Sequence, residues 1–220
     1  FLAAKYFTEA CLGGLGELTY RTMEVNGHLL PVAAVHVDRP VIAELGAHDS
    51  FMYVEWRGAK LSVAGPIRAV NGSDPYVEPV PYRDPNPGKV VATIQTDWMP
   101  DEELLETVAE SAGVAAKDIY MLAAKTGTLT GAAQVCARNV EQSMPSLLDH
   151  GFPMDTIVQA CGYAPVAAVV DDEMLAYGRV NDGLIYGQET NLYVDCEDAQ
   201  IERLIDILPF RKNQDVYGTP

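Results

Sequence analysis

The sequence has few of the features by which metal sites and disulfide scaffolds are usually identified. Its four cysteines are spread along the chain, and no two of them form a CxxC or CxxH pair. The four histidines are also isolated, and no HExxH spacing occurs. We therefore expect no metal site and no disulfide framework. Scattered, reduced cysteines are typical of a cytoplasmic protein.

Long apolar runs and positive charges are also scarce. No apolar run reaches the roughly 18 residues needed to cross a bilayer, and no signal peptide is visible. The chain has 15 lysines and arginines against 31 aspartates and glutamates, a formal net charge of −16. Nucleic acids and anionic membranes bind positive surfaces, so we expect neither as a partner. The acidity indicates either simple solubility or a salty host cytoplasm, and it favours a cationic ligand.

Three common functional motifs are missing as well. The glycine-rich stretches CLGGLG (11–16) and KTGTLTG (125–131) match neither GxGxxG nor GxxxxGK, so a Rossmann fingerprint and a Walker loop are excluded. No serine lies in a GxSxG elbow, which argues against an α/β-hydrolase. The chain starts with phenylalanine in the middle of a helical pattern, and we expect it to be part of a longer protein.

What the sequence does contain is an alternation of strand and helix patterns in 220 residues that are 48% hydrophobic. A capped amphipathic helix is predicted at 100–113, and strand pairs are predicted at 51–64 and 183–195. The proline-rich segment 71–88 is the best candidate for an internal boundary. We predict a mixed α/β (α+β) fold with two α/β portions, 1–88 and 89–220, and a pocket between them.

The segment GAAQVCARNVEQSM (131–144) is the first candidate for a functional element. Its apolar residues recur at helical spacing, so a helix is predicted, with Glu141 at the margin of the apolar stripe. Arg138 lies three residues earlier, within reach of Glu141. In pairs that only support a helix the acid usually comes first, and here the base does. A solvated surface ion pair and acid–base machinery at a pocket wall both remain open.

Two further stretches are candidates for ligand contacts. KTGTLTG lies between a predicted strand and a predicted helix, where backbone N–H groups can receive an anion or a polar ligand edge. NDGLIYG (181–187) places Asn181 and Asp182 at the head of a predicted strand, a position that often faces a ligand. An ordinary glycine turn for the first and an Asx turn for the second are the alternatives.

Taken in order, six segments resemble the methenyltetrahydromethanopterin cyclohydrolase family: CLGGLG, AGPIRA, TGTLTG through ARNVE, GYAPVA, GRVNDGLIYG and DVYGTP. The likeness runs from about residue 5 to the last residue. It implies two α/β domains with a pocket between them, usually in a homotrimer. It also implies reversible hydrolysis of 5,10-methenyltetrahydromethanopterin to the 5-formyl derivative in one-carbon metabolism, with a reduced pterin as substrate and no metal or other cofactor.

The resemblance also assigns roles to residues. The family's Arg-x-x-Glu motif matches Arg138 and Glu141, so Glu141 is expected to activate water and Arg138 to tune it. Glycine backbone is expected to approach the flat pterin ring, and polar side chains to bind its edges. The residues expected to bind the substrate are Gly13, Gly14, Gly65, Pro66, Thr126, Thr128, Asn181, Asp182, Tyr186 and Gly187.

Some segments depart from the family's usual pattern. Ala124-Lys125-Thr126 stands where Ala-Pro-Thr is usual, and Val63-Ala64-Gly65-Pro66 where Gly-Ser-Gly-Pro is usual. Tyr186-Gly187-Gln188 replaces Tyr-Gly-Gly, and FRKNQDVYG replaces a serine-rich segment. Two other hypotheses follow: a diverged paralogue that binds a reduced pterin without hydrolysing it, and a structural subunit of a larger assembly.

Overall fold

The computed structural model describes residues 1–208 and residue 215. Its strands are β1 (Gly16–Val25), β2 (His28–Val37), β3 (Met52–Trp56), β4 (Ala59–Val63), β5 (Val90–Gln95), β6 (Ile119–Ala124), β7 (Ile157–Pro165) and β8 (Glu189–Val194). Its α-helices are α1 (Leu2–Cys11), α2 (Arg68–Asn71), α3 (Glu102–Ala112), α4 (Leu129–Cys136), α5 (Met144–Asp149), α6 (Glu173–Gly187) and α7 (Asp198–Glu202). A π-helical segment, Val41–His48, follows β2. This mixture confirms the α/β prediction.

The strands form three sheets in the described part of the chain. The largest is antiparallel, with the order β1-β2-β7-β8. β3 and β4 form a hairpin, β5 and β6 pair in parallel, and a bridge between Ala64 and Thr93 connects these two sheets. Because β2 pairs with β7, strands from both sides of residue 88 share one sheet. The division into portions 1–88 and 89–220 stays a prediction.

Local sequence signals explain the best-predicted elements. Asp101 caps α3 by accepting a hydrogen bond from the backbone N–H of Leu104 (3.0 Å), and Gly113 ends the helix at φ 77°. The buried face of α3 packs with the β3–β4 and β5–β6 sheets in one apolar cluster. A second cluster joins α1, α4 and α6 to the large sheet. The hairpin predicted at 51–64 is confirmed as β3–β4.

The strand pair predicted at 183–195 is wrong. Residues 183–187 are the last turn and a half of α6, and only β8 is a strand, which pairs with β7. Asp172 caps α6, and Ala176, Val180 and Leu184 are buried at four-residue intervals. This helical period holds α6 against α4, so it overrides the strand-like appearance of GLIYG.

The continuous helix predicted at 131–144 is also wrong. The α-helical path stops at Cys136, and 3₁₀ turns at 137–139 and 141–143 lead into α5. Pro145 lacks an N–H, and its ring would clash with the carbonyl four residues earlier, that of Glu141. The side chain of Asn139 adds hydrogen bonds to the carbonyls of Ala33 and Cys136. This break determines where Arg138 and Glu141 point.

The described residues contain neither a membrane-spanning helix nor a metal-binding cluster. No described helix has both the length and the apolarity required to span a membrane. No three His, Cys, Asp or Glu side chains in residues 1–208 and 215 are grouped as a metal site would require.

Candidate active site

A cavity of about 530 Å³ lies where four elements meet. Most of its lining residues come from β4, β5, α4 and α6, together with the segments that follow β5 and α4. The lining combines charged, polar and aromatic side chains, including Lys60, Trp98, Gln134, Glu173 and Tyr177. A space of this size and mixed lining is typical of a small-molecule site.

Arg138 and Glu141 both line this cavity. Their side chains are only 12% and 5% exposed, so they are not a solvated surface pair. The guanidinium Nη1 lies 3.8 Å from Oε2 of Glu141, an ion-pair contact that is too long for a hydrogen bond. Nη1 also donates a hydrogen bond to the backbone carbonyl of His48, ninety residues away in sequence. That contact fixes the guanidinium beside the carboxylate.

A buried acidic group that the sequence reasoning missed lies behind this pair. Glu44 and His48 are 0% exposed, and Nδ1 of His48 lies 2.8 Å from Oε2 of Glu44. Burial raises the pKa of Glu44 well above its ordinary value and lowers the pKa of His48 well below its own. The lowered pKa leaves His48 neutral near pH 7, and burial favours the neutral acid of Glu44, so we describe their contact as a hydrogen bond, although its geometry also fits an ion pair. The four-residue spacing of Glu44 and His48 in an apolar segment was the available signal.

The KTGTLTG turn is occupied by a side chain of the protein itself. The carboxylate of Glu173 accepts hydrogen bonds from the backbone N–H groups of Thr126 (2.6 Å) and Gly127 (3.1 Å). Burial acts to raise the pKa of Glu173, but these hydrogen bonds outweigh it, and the pKa lies below its ordinary value. Thr128 caps α4 by accepting from the N–H of Gly131 (3.1 Å). The backbone N–H groups that were expected to bind an anion or a polar ligand edge therefore bind the carboxylate of Glu173.

The structure brings together four of the twelve predicted site residues. Thr126 and Asn181 line the cavity together with the Arg138–Glu141 pair. The other eight are not among its lining residues: Gly13, Gly14, Gly65, Pro66, Thr128, Asp182, Tyr186 and Gly187. Asn181, Asp182, Tyr186 and Gly187 lie on α6 and not at the head of a strand, which corrects that part of the prediction.

Two of these glycines serve close packing of the backbone. Gly65 has φ 106°, and a Cβ there would lie 2.7 Å from the carbonyl oxygen of Val91. A Cβ on Gly187 would lie 2.7 Å from the ring of Pro165. Their small size is required by neighbouring backbone and by a proline ring, so packing alone accounts for both.

Comparison with known proteins identifies the family. The family described as Cyclohydrolase (MCH) matches residues 1–220. This chain belongs to that family. Among similar proteins, the methenyltetrahydromethanopterin cyclohydrolase of Methanospirillum hungatei is 31% identical over 221 residues, which cover 100% of this chain and 69% of the relative. Those of Methanocaldococcus jannaschii and Methanosarcina barkeri are each 32% identical, covering 99% of this chain and 68% of the relative.

For this member of the cyclohydrolase family, the roles of individual residues stay predictions. The likeness extends over the whole chain and is consistent with the order of motifs from CLGGLG onward. The motif DVYGTP (215–220) lies outside the described residues except for Asp215.

Gly131 lies in the first turn of α4, directly against the backbone of the turn at residues 125–126. A Cβ there would lie 1.9 Å from the carbonyl oxygen of Lys125 and 2.8 Å from the Cα of Thr126, both backbone atoms. We expect Gly131→Ala to destabilise the protein by about 1–3 kcal/mol, because the turn must move away from α4. The measurement is the free energy of unfolding in denaturant.

Gly178→Ala is the matched control for that variant. Gly178 is an exposed glycine inside α6, and a Cβ there would have no atom within 4 Å. Alanine at this position should stabilise the helix by about 0.5–1 kcal/mol. Equal effects of the two substitutions would show that helix propensity, and not the close approach of Lys125, decides the result.

Proposed function

We propose that this chain reversibly hydrolyses 5,10-methenyltetrahydromethanopterin to 5-formyltetrahydromethanopterin. The single observation that carries the proposal is the buried Arg138–Glu141 pair in the wall of a 530 Å³ cavity. The chain's membership of the family and the activity named for its relatives support the same reaction. The substrate is a reduced pterin, and the reaction is hydrolysis of a cyclic amidine C–N bond.

The proposed chemistry begins at the methenyl carbon, which lies between two nitrogens and shares their positive charge. Because this carbon is already electrophilic, the protein's task is to position and deprotonate a water molecule. Glu141 takes a proton from that water while the C–O bond forms. The carboxylic acid then returns the proton to N10, and the C–N10 bond breaks as the hydroxyl of the intermediate becomes the formyl C=O. The hydroxyl proton is released to solvent, so the neutral formyl group stays on N5 and one proton leaves with each hydrolysis. Atoms and charge balance without a prosthetic group.

Arg138 has a different part in this scheme. Its guanidinium, held by the His48 carbonyl, supplies a positive charge 3.8 Å from the Glu141 carboxylate and fixes the direction of that carboxylate. A bound cationic substrate adds positive charge on the cavity side. The acidic side chains of Asp97 and Glu173 also line the cavity and favour a cation over an anion.

Recognition of the pterin is proposed to use flat and polar surfaces together. Trp98 lines the cavity and stacks on Trp56, with ring centroids 4.5 Å apart and planes 21° apart, so its ring is held in place. Asn181 on α6 and the side chain of Thr126 offer hydrogen bonds to ring edges. We further propose a cytoplasmic, homo-oligomeric protein, a trimer by family resemblance, that uses no metal.

The test is a cyclohydrolase assay that follows the ultraviolet absorbance of methenyltetrahydromethanopterin, with methenyltetrahydrofolate compared in parallel. We expect decay of the methenyl absorbance well above the rate without protein. Tight binding without turnover would instead support the non-catalytic paralogue. No pterin affinity, together with co-purification of a partner protein, would support the structural subunit.

A further inference from the structure

Asp49 lies at the junction between the π-helical segment and β3. It is 1% exposed, and its Oδ1 accepts a hydrogen bond from the backbone N–H of Ser50 (2.6 Å). Its Oδ2 is buried and has no hydrogen-bond partner among the described residues. The preceding residue, His48, supplies the carbonyl that holds Arg138, and Ser50 lines the cavity. Asp49 is thus placed immediately behind the candidate catalytic pair.

The charges around Asp49 do not balance if every carboxyl is ionised. Three buried carboxyls, those of Glu44, Asp49 and Glu141, interact with one another and with two guanidiniums. One of these guanidiniums, Arg68, is already paired with Asp74. Arg138 is therefore the remaining cation for three acids. Because unpaired charges are costly to bury, two of the three carboxyls are favoured as neutral acids.

The surroundings decide which carboxyls keep a proton. Complete burial favours the neutral acid of Glu44, which is hydrogen-bonded to His48. Glu141 alone of the three forms an ion pair with Arg138 within 4 Å in the described structure. Burial, followed by the negative charge of Glu141, raises the pKa of Asp49 to about 8, while Arg68, the Ser50 N–H and Arg138 act in the opposite direction. Tyr76 also faces this group, since the charge of Asp49 acts on its hydroxyl.

We propose that Asp49 is a positioning residue that holds a proton at neutral pH, so that Glu141 remains ionised against Arg138 as the base. Its part in catalysis rests on the proposed function, whereas its protonation does not. When Asp49 ionises at higher pH, a second negative charge arises behind Glu141 and adds to the attraction of this carboxylate for the cationic substrate. Asp49 acts through Glu141 and does not itself line the cavity.

The first test measures protonation without any assay of activity. Between pH 3.8, the ordinary pKa of an aspartate, and about pH 8, the native chain holds one proton more than the unfolded chain at Asp49. Stability contributed by this group therefore falls as the pH rises through that range. We expect the difference in unfolding free energy between the unsubstituted protein and Asp49→Asn to fall from pH 5 to pH 9. A difference independent of pH would overturn the proposal.

Direct titration of Asp49 measures the same protonation without requiring Asp49→Asn to fold. The Asp49 carboxyl carbon is followed by ¹³C NMR in the unsubstituted protein and in Glu141→Gln. We expect an inflection near pH 8 that moves to lower pH in Glu141→Gln, because the neighbouring negative charge is removed. Titration near the ordinary value of 3.8 in the unsubstituted protein, or the same inflection in both proteins, would contradict the coupling.

The second test concerns catalysis. After subtraction of the rate without protein, kcat/KM of the unsubstituted protein should rise through an inflection near pH 8, and Asp49→Asn should lose it. Asp118→Asn, at an exposed ion pair with Lys89, is the control that should keep it. If the titrations of Asp49 and Glu141 are coupled but the protein has no cyclohydrolase activity, the proposed function is refuted and the coupling stands. Activity with the same inflection in Asp49→Asn would refute the role of Asp49.

Discussion

Glu141→Gln is expected to lower kcat by about 10²–10⁴-fold, the range that a positioned general acid–base usually contributes. The amide keeps the size of the carboxylate, but it accepts no proton from water and returns none to N10. It still fits the wall, where Gln142 donates to Oε2 of Glu141 at 3.1 Å. The measurement is single-turnover decay of the methenyl absorbance, with KM determined in the same series.

Two controls complete this experiment. One is the same substitution at a glutamate outside the cavity, and the other is a check that both variants fold. Glu110→Gln on the exposed side of α3 makes the same chemical change away from the cavity and should leave kcat unchanged. Circular dichroism should show both variants folded. Turnover of Glu141→Gln within a few-fold of the unsubstituted protein would remove Glu141 from the chemistry and leave only the family relationship.

Asp74→Asn is expected to destabilise the protein by about 3–5 kcal/mol, because it leaves a buried guanidinium without its counter-charge. The side chain of Arg68 is 0% exposed, and its Nε and Nη2 donate to the two carboxylate oxygens of Asp74 at 3.0 and 2.8 Å. The third contact, to the carbonyl of Leu45 at 2.6 Å, holds the π-helical segment that carries Glu44 and His48. The Arg68–Asp74 pair therefore holds in place the π-helical segment that lies behind the cavity.

Denaturant unfolding of Asp74→Asn measures this effect, with Asp118→Asn as the control. Asp118 accepts from Lys89 at 2.8 Å, but the two side chains are 29% and 53% exposed. Exposed ion pairs contribute little to stability because solvent screens them, so the control should lose little. Similar losses in the two variants would show that burial of Arg68 does not dominate the energy of its pair.

Elements with strong local signals were predictable from the sequence. Asp101 and Gly113 mark the two ends of α3, and Gly58 marks the turn of the β3–β4 hairpin, where its φ is 77°. These signals act within a few residues, so they work wherever the segment lies in the fold. Pro145 was an unused signal of the same kind for the break after α4.

The sequence prediction failed where distant packing decided the result. GLIYG has the composition of a strand, yet burial of Leu184 against the core keeps it in α6. Asp49 gave no motif, and Glu44 gave only its four-residue spacing to His48, because their relation to Arg138 and Glu141 depends on segments far apart along the chain. The cavity itself is made by β4, β5, α4 and α6, which no short stretch contains.

By itself, the sequence determined the mixed α/β class. It also determined that Arg138 and Glu141 lie close to each other, since residues three apart in a helical turn are neighbours. Only the tertiary structure decided that this pair is buried, that the His48 carbonyl holds its guanidinium, and that further carboxyls lie behind it. The physical reason is range: spacing along the chain is fixed by backbone geometry, whereas burial and the balance of charge are set by segments that meet only after folding.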